Sequence, residues 1–323
     1  MTINSTRKII VVLGQNASGK SDFAVRLAKK INGEIISADS RQVYSGLNIG
    51  SGKVEGKWKK NLKSQISNLK NKIFVYKNII HHCIDFVSPR MVYTAGNFKK
   101  DAERAIIDIV SRGRVPIICG GTGFYIDAFL GNISLAEIPP NTKLRNSLEK
   151  KPREELLKIL QKLNPSRAEK IDKQNKRRLI RAIEIIKHGR KSDKKNSQIR
   201  NKLNVFYIGV NRPPEILKQR IKNRLLARLK TGMIKEVRDL HFKKNISWKR
   251  LDDLGLEYRY VSYFLRGKIK SEKELFEKLK TEIWRYAKRQ KTWFKKNKKI
   301  NWTSLSEKDS KKIENAVEKF LTK

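Results

Sequence analysis

The distribution of apolar and polar residues in the first third of the chain alternates between short strands and amphipathic helices. Continuous apolar runs predict strands at residues 9–13, 34–38 and 115–119, each buried on both faces. Apolar residues at helical spacing predict helices at residues 21–30 and 95–112. Because strands and helices alternate, the sequence predicts an α/β fold with an open parallel sheet covered by helices on both faces.

The pattern changes in the middle of the chain. Strand-like runs stop, and residues 144–188 are typical of short basic helices interrupted near Pro152 and Pro165. A strand is predicted again at residues 205–210. The sequence therefore predicts a core, residues 1–132 and 205–323, and a small basic helical domain inserted into it, residues 133–204.

Local signals define parts of the remaining sequence. Residues 57–72 are polar and rich in lysine, and they are predicted to form a surface excursion. Pro213 and Pro214 suit the first turn of a long helix. Ser271 and Glu274 form a capping box that predicts another helix start, and the rest of the C-terminal third is predicted to be helical.

The sequence GQNASGKS, residues 14–21, has the spacing G-x-x-x-x-G-K-S of a phosphate-binding loop. It lies between a predicted strand and a predicted helix, where backbone N–H groups at the helix N-terminus can bind phosphate. Lys20 adds a positive charge, and the Ser21 hydroxyl can bind Mg²⁺. The residues predicted to hold the phosphate or diphosphate group are Gly14, Asn16, Ala17, Ser18, Gly19, Lys20 and Ser21.

Group transfer fits the loop better than nucleotide hydrolysis. A hydrolase of this class needs a second strand that ends in acidic residues, which hold Mg²⁺ and position water. The corresponding strand here, VPIICGG, ends in glycines. The bound phosphates are therefore expected to act as a leaving group.

Two polar residues follow predicted strands at the edge where the loop lies. Asp39 follows the second strand in ISADSRQVY, and Thr122 lies in GGTGFY. Ligands of open α/β sheets bind at the carboxyl ends of the strands, so Asp39 and the loop are expected to face one cleft. Asp39 is a candidate general base, magnesium ligand or substrate anchor, and a helix cap is the alternative. Thr122 is a candidate for an N-cap or a substrate contact.

The chain of 323 residues has 75 Lys and Arg against 31 Asp and Glu, a formal net charge of +44. A charge of this sign favours a polyanionic partner, usually nucleic acid. A coding bias toward lysine is an alternative source of part of the excess. Such a bias explains less well the arginines that alternate with aromatic residues in WRYAKRQKTWF, namely Arg285 and Arg289.

Two other arginine groups lie on predicted helices. Arg220 and Arg224 are four residues apart, so they share one helical face. They predict either a solvated basic face or a clamp on a diphosphate. Inside the predicted insertion, NKRRLIRAIE contributes Arg177, Arg178 and Arg181.

The sequence shows no clear metal-ligand spacing and no membrane segment. Cys83 and Cys119 are far apart, and the adjacent His81 and His82 favour structural roles. No apolar run approaches the ~18 residues needed to cross a bilayer, and the run before the loop is too short for a secretory signal. A cytoplasmic protein that does not bind membranes is expected.

The motifs, in their order along nearly the whole chain, resemble those of the tRNA dimethylallyltransferase (tRNA isopentenyltransferase) family. The matching segments are GQNASGKS, ISADSRQVYSGLNIGSGK, HHCIDF, YTAGNF, IICGGTGFYI, NKRRLIRAIEI, RLKTGMIKEVRDL, GLEYRY and RYAKRQKTWF. The bacterial type is expected, because the C-terminal zinc finger of some eukaryotic members has no counterpart. The loop departs from the family's usual Pro-Thr at Gln15 and Asn16, where Asn16 can still donate a hydrogen bond.

The resemblance implies transfer of a dimethylallyl group from dimethylallyl diphosphate to N6 of adenosine 37 in tRNAs that read codons beginning with U. The loop would then hold an isoprenoid diphosphate, and ATP would not be a substrate. Mg²⁺ is the implied cofactor, with Ser21 as its ligand. Lys20 and Arg220 or Arg224 would stabilise the leaving diphosphate.

The resemblance also implies roles for residues that face the RNA. Asp39 would act as the general base for the adenine amine, and Thr122 would contact the reacting adenine. The partner would be the anticodon stem-loop, from which the target base must be extruded, and the enzyme is expected to be a monomer. The residues implied to contact tRNA are Asp39, Ser40, Arg41, Gln42, Thr122, Arg145, Arg177, Arg178, Arg181, Arg285 and Arg289.

The sequence leaves two other functions open. One is prenylation of free AMP, ADP or ATP, although a free nucleotide does not require the basic insertion. The other is an RNA-binding protein or kinase with a phosphate-binding loop and no prenyl transfer, which the missing acidic strand disfavours.

Overall fold

The fold was obtained as a computed structural model, which describes residues 7–60, 72–136, 138–189 and 203–322. The strands are β1 (Arg7–Gly14), β2 (Gly33–Ser37), β3 (Lys57–Lys60), β4 (Lys72–Tyr76), β5 (Ile79–His82), β6 (Val115–Gly120), β7 (Leu203–Val210) and β8 (Asn301–Thr303). The helices are α1 (Lys20–Lys30), α2 (Ala95–Ser111), α3 (Gly123–Phe129), α4 (Thr142–Glu149), α5 (Arg153–Leu163), α6 (Pro165–Lys170), α7 (Lys176–Lys187), α8 (Pro214–Lys230), α9 (Met233–Phe242), α10 (Trp248–Leu254), α11 (Leu256–Leu265), α12 (Glu272–Phe294) and α13 (Glu307–Thr322).

The described strands form one eight-stranded sheet in the order β3-β4-β5-β2-β6-β1-β7-β8. Neighbours from β5 through to β8 pair in parallel, whereas β3 pairs with β4 and β4 with β5 in antiparallel fashion. The predicted α/β fold with a parallel sheet is confirmed, with an antiparallel segment added at one edge.

Helices cover both faces of this sheet. On one face, α1 and α13 bury Phe23, Leu27 and Val317 against alternate strand residues. The intervening strand residues, such as Ile9 and Val11, point to the opposite face and are fully buried. On that face α2 packs against β2 and β6, and α12 packs against β1.

The strands that the sequence did not reveal include both edges of the sheet. β3 begins where a surface excursion was predicted, and Trp58 is its half-buried residue, packed edge-on against Phe74 at 5.6 Å between ring centroids. Residues 61–71 of that predicted excursion lie outside the described residues. β8 interrupts a region predicted to be wholly helical. Edge strands are half solvated and short, so their sequences lack the apolar run that marks a central strand.

The chain divides into two compact units. The core unit comprises Met1–Ile133 and Arg200–Lys323, and the inserted unit comprises Ser134–Ile199. The inserted unit contains α4 to α7, with the predicted breaks at Pro152 and Pro165. Its own hydrophobic core consists of Leu148, Leu156, Leu160, Ala168, Leu179, Ile180, Ala182 and Ile183.

Asparagine side chains begin three of the inserted helices. Asn141, Asn164 and Asn175 each accept a hydrogen bond from the backbone N–H three residues later. This N-cap satisfies a donor that the first helical turn leaves unpaired. Helices too short to be stable alone are thus fixed at one end by local sequence.

Two other helix starts agree with the sequence. Pro213 and Pro214 open α8 as predicted. At α12, Ser271 Oγ accepts a hydrogen bond from Glu274 N, but the Glu274 carboxylate binds Lys270 N and so completes the predicted capping box one residue early. Within the described part of the chain, no helix is both long and apolar enough to cross a membrane.

A buried carboxylate joins three elements at the start of β2. Glu34 is fully buried, and Arg112 donates to both of its oxygens, with 2.8 Å from Nη2 to Oε2. His82 Nε2 lies 2.7 Å from Glu34 Oε2, and Arg114 Nη1 lies 3.2 Å from Oε1. Burial opposes ionisation, but the hydrogen bonds from Arg112 and His82 outweigh it and lower the pKa of Glu34 to about 2.

Both adjacent histidines make contacts within the fold. His82 pairs with Glu34, while His81 is buried with Nδ1 3.0 Å from the Ile79 carbonyl oxygen. Among the described residues, no group of three or more His, Cys, Asp or Glu side chains forms a metal-binding cluster.

We expect Glu34→Gln to lower the free energy of unfolding at neutral pH by about 3 kcal/mol, the equivalent of the drop in pKa from 4.5 to about 2. This stabilisation is fully present above the unfolded-state pKa near 4.5. It is lost as the pH falls toward the folded-state value of about 2. Urea unfolding at a series of pH values should show the wild type and the variant converging in acid.

The matched control is Glu318→Gln, which removes a half-exposed carboxylate paired with Lys30 at 3.0 Å. It should change stability by less than ~1 kcal/mol. A constant difference between wild type and Glu34→Gln down to pH 3 would contradict the proposed ionisation of Glu34.

Candidate active site

The phosphate-binding loop connects β1 to α1, and two of its glycines are required by geometry. At Gly14 a Cβ atom would lie 2.6 Å from the Val210 carbonyl oxygen, so a larger residue would separate β1 from β7. Gly19 has a φ of 95°, in the left-handed region, and immediately precedes α1. The positive end of the α1 dipole therefore opens onto the loop.

Lys20 is the first residue of α1, and its Nζ donates to the Gln15 carbonyl oxygen at 3.3 Å. Burial lowers the pKa of Lys20, and the neighbouring Cys119 and Asp39 act in the opposite direction. A desolvated cation of this kind is stabilised when an anion binds beside it.

Three arginines lie around the same loop. Arg220 Nε and Arg212 Nε donate to the carbonyl oxygens of two successive loop residues, at 2.7 and 3.3 Å. Arg224, one turn after Arg220 on α8, is desolvated by burial, and this burial with the nearby Arg228 lowers its pKa to about 10. Arg220 and Arg224 were identified from their spacing, whereas a single arginine before a helix, such as Arg212, carries no periodic signal.

Asp39 begins the turn that follows β2. Its Oδ1 accepts hydrogen bonds from Arg41 N at 2.8 Å and Gln42 N at 3.3 Å. No helix begins at this turn, so Asp39 caps the turn itself and is not the helix cap that the sequence left open. These bonds use one carboxylate oxygen and fix the orientation of the group, so capping and chemistry are compatible.

The carboxyl ends of β2 and β6 approach each other closely beside Asp39. A Cβ atom at Gly120 would lie 2.1 Å from the Ala38 carbonyl oxygen, so glycine is required there. Thr122 Oγ1 accepts a hydrogen bond from Ser40 N at 3.1 Å. Thr122 is the N-cap residue of α3, but its side chain makes no capping bond and instead joins the two turns.

Lys20, Asp39, Gly120 and Arg224 line one pocket in the core unit, whereas Arg212, Arg220 and Thr122 are not among its lining residues. Asn16, Lys20, Ser21, Asp39 and Arg224 form its charged and polar part. Another part of the lining carries no charge, and its members include Ile35, Val54, His81 and Cys119.

Two titratable groups in this uncharged part of the lining are neutral near pH 7. Burial lowers the pKa of His81 to about 4, and burial raises the pKa of Cys119 to about 11. The pocket therefore combines a cationic end suited to phosphate with an uncharged end suited to an apolar group.

The segment after Leu47 forms another wall of the pocket, and a distant carboxylate holds it. Glu236 accepts hydrogen bonds from the consecutive backbone N–H groups of residues 48–50, at 2.7 to 3.0 Å. At Gly52 a Cβ atom would lie 1.8 Å from an Arg228 guanidinium nitrogen, so the backbone there packs against the Arg228 side chain of α8. Glu236 was not identified from the sequence, since an acidic residue on a helix is usually solvated.

The side chains of Arg41 and Gln42, which follow Asp39, form hydrogen bonds within the protein. Arg41 Nε donates to the Leu254 carbonyl oxygen, which ties its guanidinium to the end of α10. Gln42 lines the pocket, and its Nε2 donates to the Gly52 carbonyl oxygen at 3.2 Å.

Helix α12 contributes both exposed cations and a buried amide. Arg285 is paired with Glu282, and its side chain is 60% exposed, while Arg289 is exposed above the Tyr286 ring at 5.8 Å. On the buried side, Gln290 binds both the phosphate loop and the turn before Thr122. The sequence predicted the basic face but not the role of Gln290.

In the inserted unit, two of the predicted RNA contacts also support the fold. Arg145 binds the fully buried Glu184 through two hydrogen bonds of 2.9 and 2.7 Å, and Arg181 binds the same carboxylate. Burial opposes ionisation of Glu184, but these bonds lower its pKa to about 2. Arg178 is 61% exposed, with Asp172 at 3.6 Å.

The chain is similar to known proteins over most of its length. The sequence matches the family model described as IPP transferase over residues 42–297 and the one described as Isopentenyl transferase over residues 7–70. It is 41% identical to tRNA dimethylallyltransferase 2 of Treponema denticola, over 94% of this chain and 97% of that protein. It is 39% identical to tRNA dimethylallyltransferase 1 of Syntrophus aciditrophicus, over 90% of both chains.

Two crystal structures have the same fold. The full-length tRNA isopentenylpyrophosphate transferase of Bacillus halodurans superposes with a TM-score of 0.66 at 29% identity, over 97% of this chain and 96% of that one. A eukaryotic dimethylallyltransferase captured acting on tRNA gives 0.69 at 27% identity, over 89% of this chain and 70% of that one. The chain therefore belongs to the tRNA dimethylallyltransferase family of prenyl transferases.

Proposed function

We propose that this protein transfers a dimethylallyl group from dimethylallyl diphosphate to N6 of adenosine 37 in tRNAs that read codons beginning with U. The observation that carries the proposal is the single pocket that joins the phosphate loop, Asp39 and an uncharged wall. In the reaction a carbon–nitrogen bond forms at N6 and the carbon–oxygen bond to the diphosphate breaks. The N6 proton passes to Asp39, and diphosphate leaves.

The cationic end of the pocket is suited to the leaving diphosphate. Loop N–H groups and Lys20 bind its oxygens from one side, and Arg220 and Arg224 add charge from α8. As the carbon–oxygen bond breaks, negative charge grows on the diphosphate, and these fixed donors stabilise it. The uncharged wall formed by Ile35 and Val54 then accommodates the five-carbon group.

The donor atoms at the loop fit Mg²⁺, a hard cation that prefers oxygen ligands. Ser21 contributes a hydroxyl, and the diphosphate would contribute further oxygens. The Cys119 thiol in the same pocket stays protonated, because burial raises its pKa to about 11. When bound, Mg²⁺ supplies positive charge that offsets the charge of the leaving diphosphate.

Asp39 is the group suited to the adenine amine. The exocyclic amine is a weak nucleophile because its lone pair is delocalised into the ring. A fixed carboxylate can orient it and accept its proton as the new bond forms. The bonds from Arg41 N and Gln42 N hold Asp39 for this task, and the hydroxyl of Thr122 is adjacent to the same turn.

Exposed cations in each unit are proposed to contact the RNA. Arg177 and Arg178 of α7, and Arg285 and Arg289 of α12, suit a phosphate backbone. Arg145 and Arg181 are each about one-third exposed and offer remaining donors beside their bonds to Glu184. Ser40, Arg41 and Gln42 then belong to the part that meets the nucleotides next to the target.

Prenyl transfer to free AMP, ADP or ATP is the remaining alternative, and the inserted basic unit disfavours it. A kinase or a simple RNA-binding protein is excluded by membership of the prenyl transferase family. We further propose that the enzyme acts as a monomer in the cytoplasm. Both cysteines are buried and unpaired, which suits a reducing compartment.

Transfer itself is tested with purified protein, Mg²⁺, dimethylallyl diphosphate and an anticodon stem-loop carrying A36-A37-A38. Nucleoside mass spectrometry should show a dimethylallyl mass gain at A37. A gain on AMP with none on the stem-loop would replace the proposal with the nucleotide enzyme.

Asp39→Asn should reduce turnover by ~10²-fold or more, because the amide cannot accept the proton. The amide oxygen can still accept the backbone bonds, so RNA affinity should remain within about threefold of wild type, as expected for a loss confined to the transition state. The matched control is Asp22→Asn, at an exposed position in the first turn of α1. Near-normal turnover by Asp39→Asn would rule out the base role.

Arg177→Ala combined with Arg178→Ala should weaken RNA binding and reduce the slope of log Kd against log salt by about 1.5, since each lost phosphate contact removes about 0.7–0.9. The control is Lys308→Ala with Lys311→Ala, which removes the same charge from exposed positions on α13. If both double variants shift the slope equally, the arginines act through net charge and do not contact phosphates.

A further inference from the structure

Gln290 is a polar side chain on the apolar side of α12. The helix buries Leu279, Ile283, Ala287 and Phe294 on this side, and Gln290 is itself only 6% exposed. A leucine would satisfy burial here without any hydrogen bonds. A buried amide is tolerated only when its donor and acceptor are paired, because an unpaired one is strongly destabilising.

Both ends of the Gln290 amide are paired, and with different loops. Oε1 accepts a hydrogen bond from Asn16 N in the phosphate loop at 2.7 Å. Nε2 donates to the Gly121 carbonyl oxygen, in the turn after β6, at 2.9 Å. The two loops are thereby held at a separation fixed by one planar group of atoms.

The surrounding geometry supports this bridge. A Cβ atom at Gly121 would lie 2.4 Å from Gln290 Nε2, so the turn is shaped to admit the amide. Gln15 Nε2 donates to the Ala287 carbonyl oxygen at 3.0 Å, one helical turn before Gln290. The phosphate loop is therefore attached to α12 twice, but only the Gln290 bonds also reach the other turn.

The bridge continues toward the proposed base. Gly121 is followed by Thr122, whose Oγ1 accepts from Ser40 N, the residue after Asp39. A path of hydrogen bonds and short backbone segments thus runs from the diphosphate site to Asp39. Transfer requires the donor carbon and the adenine amine to be aligned, and small errors of alignment slow such reactions severely.

We propose that Gln290 is a positioning residue that sets the separation between the leaving diphosphate and the Asp39 turn. It does so through Asn16 N and the Gly121 carbonyl oxygen and without touching either substrate. The kinetic part of this inference rests on the proposed prenyl transfer to RNA, whereas the bridge itself is a property of the folded protein.

Hydrogen exchange tests the bridge without any substrate. In the full chain, Gln290→Leu should speed amide exchange ~10-fold or more at residues 15–18 and also at 121–123, since opening free energy falls when a hydrogen bond is lost. Gln15→Leu is the matched control, because it removes a bond between the loop and α12 that does not involve Gly121. It should speed exchange at residues 15–18 alone.

Measurement of kcat tests the kinetic consequence of losing the Gln290 bridge. Gln290→Leu should lower kcat by ~10- to 100-fold, with KM for the stem-loop changed less than about threefold. Gln219→Leu, at an exposed site on α8, should leave kcat unchanged. Equal loss of kcat in both variants would overturn the proposal.

A pH profile separates positioning from general loss of packing. In Gln290→Glu the ionised side chain still accepts from Asn16 N but repels the Gly121 carbonyl, whereas the protonated form can donate to it. Burial raises the pKa of a carboxyl at such a position. The ratio of kcat in Gln290→Glu to kcat in wild type should therefore rise as the pH falls from 8 to 6. The same ratio for Gln290→Leu should stay flat, and taking ratios removes the titration of groups common to all variants.

The outcomes are distinguishable. Exchange that changes in only one of the two segments, or a flat Gln290→Glu ratio, overturns the positioning role. If Gln290→Leu does not fold, Gln290→Glu is compared in its place by both measurements. If wild-type protein transfers no dimethylallyl group, the proposed function fails, and the exchange result alone decides whether the bridge exists.

Discussion

The parallel pairing of β1 with β6 and of β6 with β2 is the constraint on which the site depends. Leu13 pairs with Gly120, and Ser37 pairs with Cys119, so all three strands end at the same level. Parallel strands place their carboxyl ends at one edge, and the loops that leave that edge must share a small space. The phosphate loop, the Asp39 turn and the turn before α3 meet there for this reason. None of these three loop sequences alone would create the pocket.

The second feature of the site is the concentration of buried positive charge around the pocket. Lys20 and Arg224 are both desolvated, which lowers the pKa of each, and an anion bound between them would recover part of that electrostatic penalty. Elsewhere in the described residues, two buried carboxylates are paired within the fold. Glu34 and Glu184 are each surrounded by arginine donors, and their pKa values are lowered to about 2. The pocket is thus a place where buried cations converge on a common space.

Several side chains serve the fold and the proposed chemistry together. Asp39 caps a turn with one oxygen, and Thr122 joins two turns instead of capping its own helix. Arg145 and Arg181 hold a buried carboxylate while keeping part of their surface exposed. A role in the fold is therefore weak evidence against a role in function, because a group must be held in place before it can act.

The sequence by itself determined the features that local physics encodes. Central strands are continuous apolar runs, the phosphate loop has fixed spacing, and α8 begins at its prolines, so each was predicted from neighbouring residues. The tertiary structure decided what depends on distant partners. The lysine-rich strand β3 and the short strand β8 lie at the two edges of the sheet, where a strand needs a partner on one side only. Glu236 binds backbone groups that are 186 to 188 residues away in sequence. Gln290 binds two partners that are 169 and 274 residues away. Such contacts leave no periodic or local signal, since only folding brings the two sides together.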